Sequence, residues 1–420
     1  MADDIAKSKL KRSLLVGKTV SHVGLIKAKS KAKALFQSSE QNRISADQTD
    51  QEIAQILFDG LCQLRGTALK LAQSLCGETD WLPPQYLQQL EKAQYRVPPL
   101  SAAVVRKVFQ NEFDMLPEKM FKEFTYAATA AASLGQVHKA VLKTGETVAV
   151  KIQYPGVNQT IVHDMTLAKA FARRLSQGGL LVNTLAEIES RLQEEIDYRH
   201  EYKNLQQFAE LKMDVAQIPK GFAEFSSEHI LTTTWVEGVH IDAWLRSNPT
   251  SADRESVAQR LFSFFNQSVF QHGLLHGDPN HGNFIVQKNL GLAVLDFGCV
   301  KQLDEQTLRL YRSLWQIDPL HKTQILELYK NLGAQFSDES KNDFWTQAVE
   351  PYISWIGRAR ESSNFKFTEE YLQQGKKIFS SQARHPALQN FSPHFTFLHR
   401  TLYGLFRIFS QMNVSTAVLL

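Results

Sequence analysis

Between His276 and Gly298 the chain reads H-G-D-P-N-H-G-N and then, after a short interval, L-D-F-G, which gathers Asp278, Asn283 and Asp296 into one stretch. Two carboxylates and an amide are what a triphosphate with bound magnesium requires. Mg²⁺ is a hard cation that takes oxygen ligands, so Asp296 and the amide oxygen of Asn283 are candidate metal ligands. The second carboxylate, Asp278, is placed to face an attacking group in a phosphoryl transfer. The D-F-G triplet alone is a common surface-turn sequence and carries little. Its weight comes from the H-x-D-x-x-x-x-N pattern before it and from the apolar hairpin between them, Phe284–Val286 against 292–295. The combination points to a site for ATP with Mg²⁺.

A site of this kind needs a cation for the phosphates and a frame to hold it. Lys151 closes V-A-V-K on the second of two expected strands, 136–142 and Thr147–Gln153, joined by a turn at Lys143-Thr144-Gly145-Glu146. A strand-borne lysine there can reach the α- and β-phosphates, oriented by an acid on the next long helix. The run E-E-I-D-Y-R-H-E offers Glu195, Asp197 and Glu201. Residues 197 and 201 are one turn apart and are expected to share a helix face, with Glu195 pointing elsewhere. Where a glycine-rich loop would cover the phosphates, the chain has Ala130-Ala131-Ala132-Ser133-Leu134-Gly135. Alanines restrict the close backbone approach that glycines permit. The nucleotide is therefore expected to be cradled differently, with transfer to a protein hydroxyl impaired.

The elements around these residues form an ordered series. Residues 1–46 are basic, with Lys7, Lys9, Lys11, Arg12, Lys18 and Lys27 interleaved with Leu14, Leu15, Val20 and Ile26. That suits either an interfacial segment on anionic lipid or a solvated tail. A helical extension over 47–120 follows, its Ile53, Ile56, Leu57, Leu61 and Leu64 recurring at helical spacing and interrupted by Pro83-Pro84 and Pro98-Pro99. A sheet-bearing lobe is expected over 121–240, with helices at 157–176 and 183–211 and a strand at 230–236. A helical lobe is expected over 241–420, with residues 401–420 forming an amphipathic helix. The fold class is α+β, in the bilobal layout of a protein kinase.

Composition sets the outer limits. The chain has 420 residues, 43% hydrophobic and 21% charged, with a net charge of +4, so nothing global argues for a nucleic-acid partner. Its three cysteines, Cys62, Cys76 and Cys299, form no C-x-x-C pair and suit a reducing compartment. Cys299 follows the D-F-G triplet, where a small buried residue is the simpler reading than a reactive thiol. No run reaches the roughly 18 apolar residues of a membrane span. A cytoplasmic protein, peripheral on the inner face of a membrane, is the expectation.

The chain resembles the UbiB (AarF, ADCK-type) atypical kinases associated with coenzyme Q biosynthesis. The resemblance runs from about Gly66 to beyond Gly298. It rests on A-A-A-S-L-G-Q-V-H, V-A-V-K-I-Q-Y-P-G-V, the E-I-D of an ExD motif, D-P-N-H-G-N-F and L-D-F-G. The family's K-x-G-Q motif stands here as Lys70-Leu71-Ala72-Gln73. The resemblance implies that the extension packs over the active site, with Lys70 and Gln73 capping it. Glu195 would then be the partner of Lys70, and Glu201 the partner of Lys151. It also implies that Ala130, Ala131, Ala132 and Ser133 line the nucleotide, with Thr234, Trp235 and Val236 as the hinge beside the adenine. Two positions depart from the family pattern: Ala72 replaces its glycine, and Thr234 stands where mitochondrial relatives carry glutamate. Classical bacterial members also end in transmembrane helices, and the expectation here is the form without them.

Three functions compete. One is an ATPase supporting ubiquinone biosynthesis, or the handling of quinone-precursor lipid at a membrane, with anionic lipid and quinone-pathway intermediates or enzymes as partners. Another is a kinase acting on a small lipid or a protein. The third is a nucleotide-gated scaffold without turnover. Inorganic phosphate alone, a labelled lipid, or indifference to Asp278→Asn would respectively mark them.

Overall fold

The computed structural model describes residues 99–158 apart from Ser133, then 161–162, 165–166, 189, 196–317 and 320–418. The basic segment, residues 47–98 of the extension with Lys70 and Gln73, most of the helix expected over 157–176, most of residues 183–195 of the helix expected over 183–211, Glu195 and Ser133 lie outside the described residues. The described residues divide into two compact units. One holds those within 99–119, 124–138 and 151–196, and the other 120–123, 139–150 and 197–418.

The first unit begins with α1 (Ala102–Phe113), which buries Val105, Val108 and Phe109 at helical spacing and stops at Asp114 in the left-handed region, φ 52°. Phe109 meets Phe124 edge-on at 5.5 Å, and Phe124 stacks on the buried His138 ring at 5.3 Å. Nearby, the Tyr126 hydroxyl and Arg106 both reach Glu118 Oε1, at 2.7 and 2.6 Å. Together they push the Glu118 carboxyl down to about 2. The cluster is solvent-screened, so it fixes geometry more than it stabilises.

The sheet strands are β1 (Glu123–Phe124), β2 (Ala130–Ala132), β3 (Gly135–Val141), β4 (Thr147–Gln153) and β5 (Ile230–Thr234), in the order β1-β3-β4-β5 with β2 paired to β3. The β3–β4 turn closes with Leu142 N–H donating to Glu146 O at 2.8 Å and Gly145 at φ 97°. Along β4, Val148, Val150 and Ile152 are wholly buried while Thr147, Ala149 and Lys151 alternate as half-buried. That is the period-2 alternation of a strand, at the place expected for one.

The second unit is mostly helical. Its helices are α2 (Tyr198–Glu210), α3 (Ile241–Arg246), α4 (Ser251–Asn266), α5 (Glu305–Gln316), α6 (Lys322–Asn331), α7 (Glu350–Arg360), α8 (Glu369–Arg384) and α9 (Pro393–Met412). One core of Phe, Tyr, Trp and Leu side chains, including Phe264, Tyr311, Tyr329, Tyr352, Phe395 and Phe406, runs through them. Short strands carry the chemistry-bearing segment. β6 (Val239–His240), β8 (Phe284–Val286) and β9 (Leu292–Val294) form one sheet, and β7 (Leu274–His276) pairs with β10 (Val300–Gln302).

Three sequence expectations need correction. The helix expected over 183–211 is broken at Asp197, which is extended (φ −98°, ψ 101°) and caps α2 by accepting the Arg199 N–H. Aspartate is a strong N-cap because its carboxylate satisfies an orphan amide. Residues 197 and 201 therefore do not share a helix face, and Asp197 is engaged by Arg199 at 2.8 Å. The strand expected over 230–236 ends at Thr234. The helix expected over 401–420 starts earlier, at the Ser392 cap with Pro393 as its first residue, and ends where Asn413 turns left-handed at φ 51°. Beyond the helix, β12 (Ser415–Thr416) pairs with β11 (Phe365–Lys366). Among the described residues, no helix is long and apolar enough to cross a membrane.

Candidate nucleotide and metal site

The segment from His276 to Gly298 is built on α4. Its N-terminus is fixed by a capping box between Thr250 and Asp253. The helix then widens into a π-turn over Gln267–Gln271 and stops at Gly273, φ 70°. β7 follows and delivers His276 in register with Val300 of β10. Gly277 N–H donates to Cys299 O at 2.7 Å, and a Cβ at Gly277 would lie 2.9 Å from Cys299 Sγ. Cys299 is thus a packing neighbour of the loop, and a side chain at Gly277 would press on its sulfur.

The loop from Asp278 to Asn283 is held by its own side chains. Asn280 Oδ1 accepts the Gly282 N–H at 3.0 Å, and Asn283 N–H donates to Asn280 O at 2.9 Å. Asn283 Nδ2 donates to Asp278 O at 3.0 Å and to Asp278 Oδ2 at 2.8 Å. Both partners are acceptors, which fixes the amide orientation: a flipped amide would set oxygen against oxygen. The Asn283 oxygen is left as an acceptor with no hydrogen bond among the described residues, and Asn283 is 9% exposed. A hard-oxygen ligand set for Mg²⁺ fits that arrangement. Asp278 itself is exposed at the start of the loop.

Asp296 lies in the left-handed region at φ 58°, where its Oδ1 accepts the Gly298 N–H at 3.1 Å. Aspartate tolerates this conformation because its short side chain bonds locally. His276 holds the same residue from behind: its Nε2 lies 2.8 Å from Asp296 O, so that nitrogen carries the proton and donates. The imidazole is 4% exposed and packs edge-on against Phe297 at 5.4 Å. Phe297 in turn meets Phe208 of α2 at 5.1 Å, and Asn204 of α2 donates to Phe297 O at 2.9 Å. On the same helix Glu201 is buried at 6% and takes part in an interaction, as a buried carboxylate must. The structure therefore adds Asn204, Phe208 and His276 as supports of the D-F-G segment. Sequence reasoning identified His276 only as a motif match. Asn204 and Phe208 sit three and seven residues beyond Glu201, on the helical spacing that would have found them.

In the first unit, Lys151 is half-buried on β4 and is engaged in an interaction. The alanine-rich segment is not an open loop. Ala130, Ala131 and Ala132 form β2, paired antiparallel with Val137, Gln136 and Gly135 of β3. A Cβ at Gly135 would stand 2.9 Å from the Ile152 carbonyl carbon, so this glycine permits close approach to the strand that carries Lys151. Tyr154 N–H donates to Leu134 O at 2.9 Å and ties the end of β4 to the same hairpin.

At the expected hinge, Thr234 N–H donates to Lys220 O at 2.9 Å, and Thr234 Oγ1 accepts the Lys220 N–H at 3.0 Å. Trp235 N–H donates to Thr147 O at 3.0 Å, and its ring lies under the Lys139 ammonium at 4.7 Å. Of the three residues, Val236 alone has a main-chain N–H with no hydrogen bond among the described residues. Val236 is buried against Ile285 and Ala293.

Residues 92–324 match the model of the ABC1 atypical kinase-like domain. An uncharacterised Synechocystis protein is 31% identical over 61% of this chain and 67% of its own length. The probable serine/threonine-protein kinase abkA of Dictyostelium discoideum is 27% identical over 86% of this chain and 68% of its own. The chloroplastic Activity of bc1 complex kinase 3 of Arabidopsis thaliana is 30% identical over 58% of this chain, but only 35% of its own length is covered. A Mycobacterium tuberculosis protein solved with erythromycin superposes with a TM-score of 0.59 over 90% of this chain and 96% of its own, at 24% identity, a likeness of fold alone. By the family model that covers more than half of its length, the chain belongs to the ABC1 atypical kinase-like family.

Proposed function

We propose that the chain binds ATP with Mg²⁺ and hydrolyses it in support of ubiquinone biosynthesis or the handling of quinone-precursor lipid at a membrane. The observation that carries the nucleotide reading is the paired hydrogen bond from Asn283 Nδ2 to Asp278, which leaves the Asn283 oxygen available as a ligand. Asn283 and Asp296 are the residues to hold the metal. When bound, Mg²⁺ supplies charge neutralisation to the phosphate oxygens. His276 and Gly298 fix Asp296 from its main-chain oxygen and its Oδ1, so its carboxylate needs little reorganisation. Asp278, at the start of the loop, is the group to orient water for in-line attack, and Lys151 the cation for the α- and β-phosphates.

Lys70, Gln73, Glu195 and Glu201 remain assigned by family resemblance, with Lys70 and Gln73 as the cap and Glu201 as the partner of Lys151. Ala130–Ala132, Ser133 and the Thr234-Trp235-Val236 segment would line the nucleotide. Within that segment the engaged amides of Thr234 and Trp235 favour Val236 as the main-chain donor to adenine. The quinone-lipid setting rests on the family resemblance, and the basic residues of the first 46 offer a foothold on anionic lipid. The protein is peripheral on the inner membrane face in this reading.

Calorimetry of purified protein with ATP, with and without Mg²⁺, tests the binding step. No magnesium-dependent affinity would end the reading. Labelled ATP incubated with a lipid extract tests the rest: inorganic phosphate as the sole labelled product supports hydrolysis, and a labelled lipid supports a lipid kinase instead. Quinones and precursors profiled in a deletion strain test the pathway, which unchanged levels would remove.

A further inference from the structure

We propose that Gly404 of α9 is a positioning residue for the Asp278 loop, its missing side chain leaving the seat on which Pro279 rests. This lies beyond the family match, because α9 begins at Pro393 and the matched region ends at residue 324. A Cβ built at Gly404 would penetrate Pro279 Cγ and stand 3.2 Å from its Cβ and 3.5 Å from its Cδ. Gly404 is helical with ordinary φ, so backbone conformation gives no reason for glycine here. It also weakens the helix relative to alanine. Close approach is the reason that remains.

The seat is rigid on both sides. α9 buries Phe395, Leu398, Leu402, Leu405, Phe406 and Phe409 in the core, and Arg254 of α4 donates to Met412 O at 3.1 Å near its end. Pro279 has a ring-locked φ and cannot swing aside as a flexible side chain would. A push on its ring therefore passes to Asp278, the preceding residue, and to the Asn283 bonds that Asp278 accepts. The same helix faces this segment at a further point. Lys301, just after the D-F-G triplet, lies 5.6 Å over the Phe397 ring.

The turnover arm of the test rests on the proposed nucleotide chemistry; the exchange arm does not. Gly404→Ala, Pro279→Ala, their combination, and Gly375→Ala are compared with the parent chain. Gly375 is the control: a Cβ there would lie 2.7 Å from Trp355 Cε2, an equal steric insult inside the α7–α8 packing. A misplacement on the order of 1 Å lowers turnover by about 100-fold. That loss is expected for Gly404→Ala with Mg²⁺–ATP affinity retained, and the combination should regain the turnover of Pro279→Ala alone. Hydrogen exchange of the Asn280, Gly282 and Asn283 amides should quicken in Gly404→Ala, remain as in the parent in Gly375→Ala, and be restored in the combination.

Parental turnover and exchange in Gly404→Ala would overturn the proposal, as would equal effects from Gly375→Ala. Should Gly404→Ala not fold, the combined variant decides: folded with protected loop amides supports the seat, unfolded overturns it. A parent chain that never turns over ATP would sink the hydrolysis reading, while the exchange arm would still decide the seat.

Discussion

Asn283 Nδ2 sits 2.8 Å from Asp278 Oδ2 and 3.0 Å from Asp278 O, so one amide satisfies two oxygens of the residue five positions before it. Replacing it by aspartate would set a carboxylate against both. Burying an uncompensated charge costs about 3–5 kcal/mol. Asn283→Asp should unfold at lower temperature without Mg²⁺ and recover part of that loss when Mg²⁺ is added. Thermal melts over a magnesium series check this. Equal melts for parent and variant at every concentration would remove the metal from Asn283.

His276 donates from Nε2 to Asp296 O at 2.8 Å while packing edge-on against Phe297. Phenylalanine keeps the packing and removes the donor. The carbonyl of a left-handed residue then loses this donor, at about 1–3 kcal/mol. His276→Phe should lose that much in urea unfolding, and its Mg²⁺–ATP affinity should fall, because Asp296 loses its anchor. Parental affinity with parental stability would show that Gly298 and Phe297 suffice to place Asp296.

Much of this arrangement was legible because local chemistry and tertiary structure agree. Thr147–Gln153 alternates through Ile152 and follows a Gly145 turn, so its strand matched the expectation. In the H-x-D-x-x-x-x-N and D-F-G segments the sequence pattern was legible, and the structure joins Asp278 to Asn283 at 2.8 Å and Asp296 to the Gly298 N–H at 3.1 Å. E-E-I-D-Y-R misled because helical spacing continues through a residue whose carboxylate prefers to cap, and Asp197 does so. The start of α9 was missed because apolar residues continue to Val418 while Ser392-Pro393 is the stronger boundary signal. Strands β6, β7 and β10 have two or three residues each, and only partners distant in sequence make them strands. The Gly404–Pro279 contact leaves no local signature at all.

Acid should destabilise the fold through its buried histidines. His399 accepts from, or donates to, the Tyr352 hydroxyl at 2.7 Å in the aromatic core, and burial holds its imidazole well below the ordinary histidine value of 6.5. Burial also lowers His138, His281 and His385. As pH falls through about 6.5 the unfolded chain takes these protons first. Stability is therefore full above that value and lost below it, by up to about 1.4 kcal/mol per pH unit for each group. Urea midpoints from pH 8 to 5 check the sign, and His399→Gln should flatten the acid limb while lowering stability at pH 8. An acid limb unchanged by that substitution would assign the effect to other groups.

Gln136 offers the most direct test of how the first unit holds the segment that follows Pro98-Pro99. Leu100 N–H donates to Gln136 Oε1 at 2.8 Å, and Gln136 Nε2 lies 2.7 Å from His138 Nε2. His138 Nδ1 lies 2.9 Å from Thr125 O, an acceptor only, so Nδ1 carries the proton and Nε2 accepts from Gln136. The chain of bonds runs one way, with Gln136 1% and His138 0% exposed. Gln136 is also the register partner of Ala131, so one residue joins the alanine hairpin to the incoming chain. Gln136→Leu leaves Leu100 N–H and His138 Nε2 unpaired, at about 1–3 kcal/mol each. Gln136→Glu keeps the acceptor for Leu100 and offers His138 an anion, which should raise the imidazole's proton affinity. Urea unfolding with limited proteolysis near residue 100 reads the first variant, and NMR titration of His138 reads the second. A Gln136→Glu chain whose His138 titrates as in the parent would mean that burial, and not the direction of the relay, sets its protonation.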